Sequence, residues 1–240
     1  TRVLVVDDNQ INQFVASELL SASGFIVDLA SNGQEGVDAV ANGEYAAVLM
    51  DCQMPIMDGY SAVRAIRARE RETGKHQIVI AVTAHAMADE RERVLSAGMD
   101  DYISKPIQPD VLYRVLAEYL PASSNSQQPS SGDTRGALAP DVPRSRLLLE
   151  TCLAELPLQL GGLVEAFERR DSGAMRRAAH KLKGSAMAIG ADDMVDMAAS
   201  LEHRLEVAPV DAQQSALVAI KGECEGVLLA LEAELREVSA

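Results

Sequence analysis

Tryptophan is absent from the 240-residue sequence, and three Phe and five Tyr bring aromatics to only 3%. Small aliphatic side chains must fill the cores. That favours helices and α/β layers over an all-β sandwich. Cysteine is nearly absent too. Cys52, Cys152 and Cys224 are far apart and form no CxxC pair, so neither a disulfide framework nor a zinc site is expected, and a reducing cytoplasm fits. No uninterrupted apolar run approaches the length of a membrane span and no signal peptide is visible, so no direct membrane contact is expected. Positive charge is also scarce: 22 basic against 36 acidic residues leave a net charge of −14. The deficit is −8 over residues 1–120 and −5 over 144–240, with no segregated basic patch. Such a field repels polyanions and argues against nucleic acid as a partner. The chain begins at Thr1, almost inside a strand and without Met, so it reads as a piece of a longer polypeptide.

Residues 121–143, PASSNSQQPSSGDTRGALAPDVP, are rich in Ser, Pro and Gly. They cannot bury enough surface to offset their ordering entropy and read as a flexible linker between domains at 1–120 and 144–240. The first domain alternates apolar runs of strand length (Val3–Val6, Phe25–Leu29, Ala46–Met50, Ile78–Val82, Tyr102–Ile103) with amphipathic helical stretches. Continuous apolar strands separated by helices predict a parallel sheet covered on both faces: a flavodoxin-like (βα)5 doubly wound fold of strand order 2-1-3-4-5. The second domain has no strand alternation. Gly173, Gly190 and Pro209 punctuate four helical stretches, near Arg146–Arg170 with a bend at Pro157, Ala174–Ile189, Asp192–Val207 and Asp211–Val238. An antiparallel helical bundle follows. The chain as a whole is α/β followed by all-α.

The predicted strand exits carry the chemistry. Strand 1 runs into Asp7-Asp8, strand 3 into Asp51, strand 4 into Thr83, and strand 5 is followed by Lys105-Pro106. In a doubly wound sheet these exits share one edge. Each piece alone reads as a turn or a cap. Three carboxylates at one edge, however, cost energy unless a cation is present. Hard oxygens suit Mg²⁺, Lys105 supplies a point charge and Thr83 a hydroxyl, which together equip the edge for phosphoryl transfer.

The segments VLVVDDN at 3–9, VLMDCQMPIMDG at 48–59, VTA at 82–84 and SKPI at 104–107 resemble the response-regulator receiver family, over essentially residues 1–120. The resemblance implies that Asp51 accepts a phosphoryl group. It implies that Asp8 and Asp51 ligate Mg²⁺ with the Gln53 carbonyl while Asp7 helps through water, and that Thr83 and Lys105 contact the acyl phosphate. Tyr102 stands at the family's aromatic switch position, and a cis peptide is expected before Pro106.

In the second domain, Gly173–Gly190 reads GAMRRAAHKLKGSAMAIG. At 100° per residue, Met175, Ala178, Leu182 and Ile189 share a core face. Arg176, His180, Lys183, Gly184 and Met187 share the opposite, solvent side. A glycine inside a helix is costly, and Gly184 on that side would leave room for a partner to approach the imidazole. Arg176 and Lys183 would offset phosphoryl charge, and a neutral imidazole is a good nucleophile near neutral pH. The run HKLKG with a later Gly resembles the histidine phosphotransfer (HPt) motif, which implies a four-helix bundle with His180 as phosphoryl carrier and Lys183 and Gly184 in support. His76, His85 and His203 read as surface residues.

Receiver, linker and HPt domain in this order resemble the C-terminal part of a bacterial hybrid sensor histidine kinase. The implied route runs from an upstream kinase core to Asp51, to His180, and to a separate response regulator, in a cytoplasmic setting, with anchoring of the parent protein in the inner membrane suggested by analogy alone. One alternative is a binding module in which the receiver gates the HPt domain without transfer between them. Another, an Asp-nucleophile Mg²⁺ hydrolase, normally has a second Asp two residues after the first; Gln53 stands there instead.

Overall fold

The structure is a computed structural model that describes residues 1–84, 88–120, 145–204 and 210–239. The expected linker and His85 lie outside the described residues. The chain divides into two compact units.

The first unit is a five-stranded parallel sheet of order β2-β1-β3-β4-β5. Its elements alternate as β1 (Arg2–Val6), α1 (Gln10–Ala22), β2 (Ile26–Ala30), α2 (Gly33–Asn42), β3 (Ala47–Asp51), α3 (Gly59–Thr73), β4 (Val79–Thr83), α4 (Ala88–Ala97), β5 (Asp101–Ser104) and α5 (Pro109–Tyr119). The period-2 alternation of strand side chains divides the core in two. Leu4, Val6, Val48, Met50, Val79 and Ala81 face α3 through Ala62, Val63 and Ile66. Val3, Val5, Leu49, Ile80, Val82 and Ile103 face Ala16 and Leu20 of α1 and Leu112, Val115 and Leu116 of α5.

The strands run slightly beyond their apolar runs because the ladder continues into polar residues: Asp51 is in register with Val82, and Thr83 with Ser104. β2 departs from the prediction of full coverage. It lies at the sheet edge, and Ile26 and Leu29 are more than half exposed.

The second unit contains, among the described residues, four helices: α6 (Arg146–Glu168), α7 (Ser172–Ile189), α8 (Asp192–Arg204) and α9 (Val210–Val238). α7 packs between α6 and α8, and α9 packs on both, which closes a four-helix bundle. Leu149, Leu156, Leu163, Leu182, Met194, Ala198, Ile220 and Cys224 fill its centre. Asp171 caps α7 by accepting from the Ala174 amide, and Gly190 ends it with φ 70°, the left-handed turn glycine adopts freely. Pro157 lies within α6, which is continuous from Arg146 to Glu168. α6 is also, among the described residues, the one helix long and apolar enough to cross a membrane; seven of its residues are buried, Leu149 and Cys152 among them.

Candidate functional site

Each unit carries a cluster of chemically capable groups at the positions the sequence singled out. In the first, β1 and β3 deliver Asp7, Asp8 and Asp51 so that one carboxylate oxygen from each lies within 4.8 Å of the others. Gln13 of α1 holds the first of these loops. Its amide donates to the Asp7 carbonyl (2.7 Å) and to the Ala30 carbonyl (3.0 Å), tying the end of β1 to the end of β2.

Lys105 reaches the cluster from the exit of β5. Its Nζ donates to Asp7 Oδ2 at 2.9 Å and Asp51 Oδ2 at 2.8 Å, and all three side chains are almost fully buried. Burial alone would lower the lysine's pKa; the charges and hydrogen bonds of Asp51 and Asp7 more than reverse this, so the ammonium is held well above its ordinary range. The Lys105 amide donates to the Thr83 carbonyl (2.7 Å), which fixes the β4 and β5 exits side by side, and Thr83 is buried there. The Lys105–Pro106 peptide is cis. The Gln53 amide approaches Asp51 Oδ1 at 3.3 Å while its side chain is exposed. Tyr102, on β5 in register with Ala81, packs against the α3-facing core.

Glycine is required at one point behind the acceptor. A Cβ on Gly59 would stand 2.2 Å from the Asp51 carbonyl oxygen, so only glycine lets the start of α3 press against that backbone. Three clustered carboxylates are the hard-oxygen set that Mg²⁺ prefers, and the lone lysine cannot neutralise all three. The donor chemistry therefore fits a divalent cation.

In the second unit, His180 of α7 directs Nδ1 at Glu202 Oε1 of α8, 2.8 Å away, and Lys183 Nζ pairs with Oε2 of the same carboxylate. Burial pushes the Glu202 carboxyl up, but hydrogen bonds from His180 and Lys183 outweigh it and hold the pKa below the ordinary value. A carboxylate on Nδ1 favours the tautomer with the proton there and leaves Nε2 with its lone pair.

Two residues of the expected solvent side of α7 are tied to the neighbouring helix, because Glu202 takes both His180 and Lys183 as partners. Ala179 replaces Ala178 as the buried alanine of the core face. Arg176, one turn before His180, is exposed as expected, as is His203. His76 is exposed as expected and lies between Glu70 (3.3 Å) and Asp100 (2.7 Å).

Glu202 escaped the sequence reading. Its signal was the turn at Gly190–Ala191: an antiparallel helix pair folded about residue 191 places position 180 opposite position 202.

Two family models match the chain: response regulator receiver domain over residues 3–117 and Hpt domain over residues 147–240. The sensor protein GacS of Pseudomonas syringae is 44% identical over 119 residues, which cover 49% of this chain and 13% of that protein. Hybrid signal transduction histidine kinase I of Dictyostelium discoideum is 42% identical over 120 residues, 48% of this chain and 7% of that one. Among solved structures, the receiver domain of a Pseudomonas aeruginosa sensor histidine kinase, crystallised with a magnesium ion in its active site cleft, is 42% identical. That match has a TM-score of 0.45 and covers 49% of this chain and 95% of the other. The chain thus spans a small fraction of the curated relatives it matches. Its first domain belongs to the response regulator receiver family and its second to the Hpt family.

Proposed function

We propose that this chain is a two-step phosphorelay module in which Asp51 receives a phosphoryl group from an upstream phosphohistidine and exchanges it with His180. The observation that supports this reading best is the pairing, in one chain, of a lysine-bridged carboxylate acceptor with a helix histidine whose Nδ1 is held by a carboxylate.

In the first step an Asp51 carboxylate oxygen attacks phosphorus. The P–O bond forms as the donor's P–N bond breaks, and the departing imidazole keeps the electron pair. Lys105 balances charge on the phosphoryl oxygens and Thr83 offers its hydroxyl to them. Asp8 and Asp51 carboxylates with the Gln53 carbonyl, and Asp7 through water, would hold Mg²⁺. When bound, the ion supplies charge neutralisation for the phosphoryl oxygens.

In the second step Nε2 of His180 attacks the acyl phosphate. The P–N bond forms, the P–O bond to Asp51 breaks, and the carboxylate recovers the electron pair. Glu202 accepts from Nδ1–H and stabilises the positive charge that the ring acquires. Lys183 and Arg176 supply cations beside the new phosphoramidate, and Gly184 offers no side chain against an incoming partner. Phosphorylation of Asp51 also draws Thr83 and Tyr102 toward a second arrangement of the surface made by α4, β5 and α5. An upstream kinase core and a downstream receiver are the partners this chemistry requires, in a cytoplasmic setting.

The test loads the full chain with acetyl phosphate and Mg²⁺ and sorts the label by stability, acyl phosphate being base-labile and phosphohistidine acid-labile. Label on His180 that disappears in Asp51→Asn supports the relay. Label that stays on Asp51 even at excess protein supports gating without transfer.

A further inference from the structure

The seven residues between β3 and α3 hold a feature that phosphoryl chemistry at Asp51 does not use. The Met57 amide donates to the Pro55 carbonyl at 2.7 Å, closing a three-residue turn around Ile56. Ile56 has φ 69°, in the left-handed region where a β-branched side chain is crowded by its own backbone. Its side chain is 85% exposed, more than any other exposed large hydrophobic residue among those described. The sequence therefore accepts two penalties at one position, a strained backbone and a solvated isoleucine. A glycine or asparagine would relieve both.

The turn is held firmly. The Gly33 amide donates to the Met57 carbonyl (3.0 Å), and a Cβ on Gly33 would stand 2.5 Å from that oxygen. On the other side the Gly59 amide bonds the Cys52 carbonyl (3.2 Å), and Asp58 caps α3 through the Ser61 amide. Ile56 thus projects from a braced loop that begins at the residue after the acceptor. Strain that persists beside a reactive group marks a functional position.

We infer that Ile56 is the apolar anchor by which this receiver docks the helix that brings it a phosphohistidine. The charge of the domain selects the occupant. Residues 1–120 carry a net charge of −8, which is still −6 with a divalent cation among the three carboxylates and favours a donor helix whose face is cationic around its histidine. α7 is a helix of that kind: its 18 residues contain Arg176, Arg177, Lys181 and Lys183 and no acid. A rigid isoleucine in the loop that follows the acceptor would seat such a helix through apolar contact, while the charges steer it. This inference rests on the relay reading.

The experiment uses full chains in trans. The donor is Asp51→Asn, phosphorylated on His180 with phosphoramidate. The acceptors are His180→Gln alone and with Ile56→Asn or Ile56→Leu. Asn accepts the left-handed backbone but removes the apolar anchor, whereas Leu keeps an apolar side chain. With Ile56→Asn, kcat/KM for transfer to Asp51 is expected to fall about tenfold, mainly through KM. Ile56→Leu is expected to stay within about twofold of the parent acceptor. Acetyl phosphate is expected to load all three acceptors at one rate, which also shows that they are folded. Unchanged transfer to Ile56→Asn overturns the inference alone. So does an equal loss in acetyl phosphate loading, because Ile56 would then act on the pocket and not on the partner. A parent acceptor that loads from acetyl phosphate but takes nothing from the donor sinks both the relay reading and the inference.

Discussion

Glu202 divides its two oxygens between His180 and Lys183, and both the pH behaviour and the reactivity of this domain follow from that division. Its carboxyl is held below the ordinary value of 4.5. A depressed folded pKa contributes stability that is fully present above the unfolded value and is lost as pH falls through the folded one. Glu202→Gln should therefore lower the melting temperature at pH 7, and the gap to wild type should close below pH 4, as thermal melts at the two pH values will show. The same variant should weaken the preference for the Nδ1–H tautomer in ¹⁵N spectra of His180. Gly59 makes a second prediction at this scale. Gly59→Ala forces a methyl group against the Asp51 backbone and should cost about 1–3 kcal/mol in denaturant unfolding while slowing acetyl phosphate loading. Asp7, Asp8, Asp51, Thr83 and Lys105 were legible in the sequence because each sits at a fixed offset from a strand end, and topology alone brings strand ends together. Glu202 was not, because finding it requires the register between two helices, which depends on packing.

Helix and strand positions followed closely from hydrophobic periodicity; α7 ends at Ile189 and α8 begins at Asp192, as predicted. The differences lie where periodicity is silent. β3 continues into Asp51 because backbone pairing ignores side-chain polarity. β2 is half-exposed because an edge strand has one neighbour, a property of sheet order and not of its own composition. On α7 the charged stripe read as solvent-facing, yet His180 and Lys183 share one carboxylate of α8; a helical wheel gives angles but not the partners a neighbouring helix supplies. α9 makes a prediction of its own. Gly222 and Gly226 lie inside this helix, exposed, with nothing within 4 Å of an added Cβ and no left-handed φ. Each substitution to Ala should raise stability by about 0.5–1 kcal/mol, measurable as additive shifts in thermal melts, without affecting label on His180.

For the whole molecule, composition and rhythm are what divide the sequence into domains at 1–120 and 144–240. In a chain of net charge −14, α7 carries four cations and no acid. Arg176→Glu should therefore slow phosphoryl exchange between Asp51 and His180 severalfold while acetyl phosphate still loads Asp51, and raising the salt concentration should slow wild-type exchange in the same direction. Chelating divalent cations with EDTA should suppress loading of Asp51, and Asp8→Asn should raise the Mg²⁺ concentration needed for half-maximal loading by about tenfold, as a titration of initial rates will show.

The shared carboxylate of Glu202 bears on timing. On the proposed relay, a phosphoryl group arriving on His180 competes for Lys183, and whatever lysine it draws away leaves Glu202 to the imidazole alone. A ring so supported carries its positive charge more comfortably and gives up the phosphoryl group less readily. The length of time for which the module remembers a signal is then set by a tug between an anion that comes and goes and one that is built in.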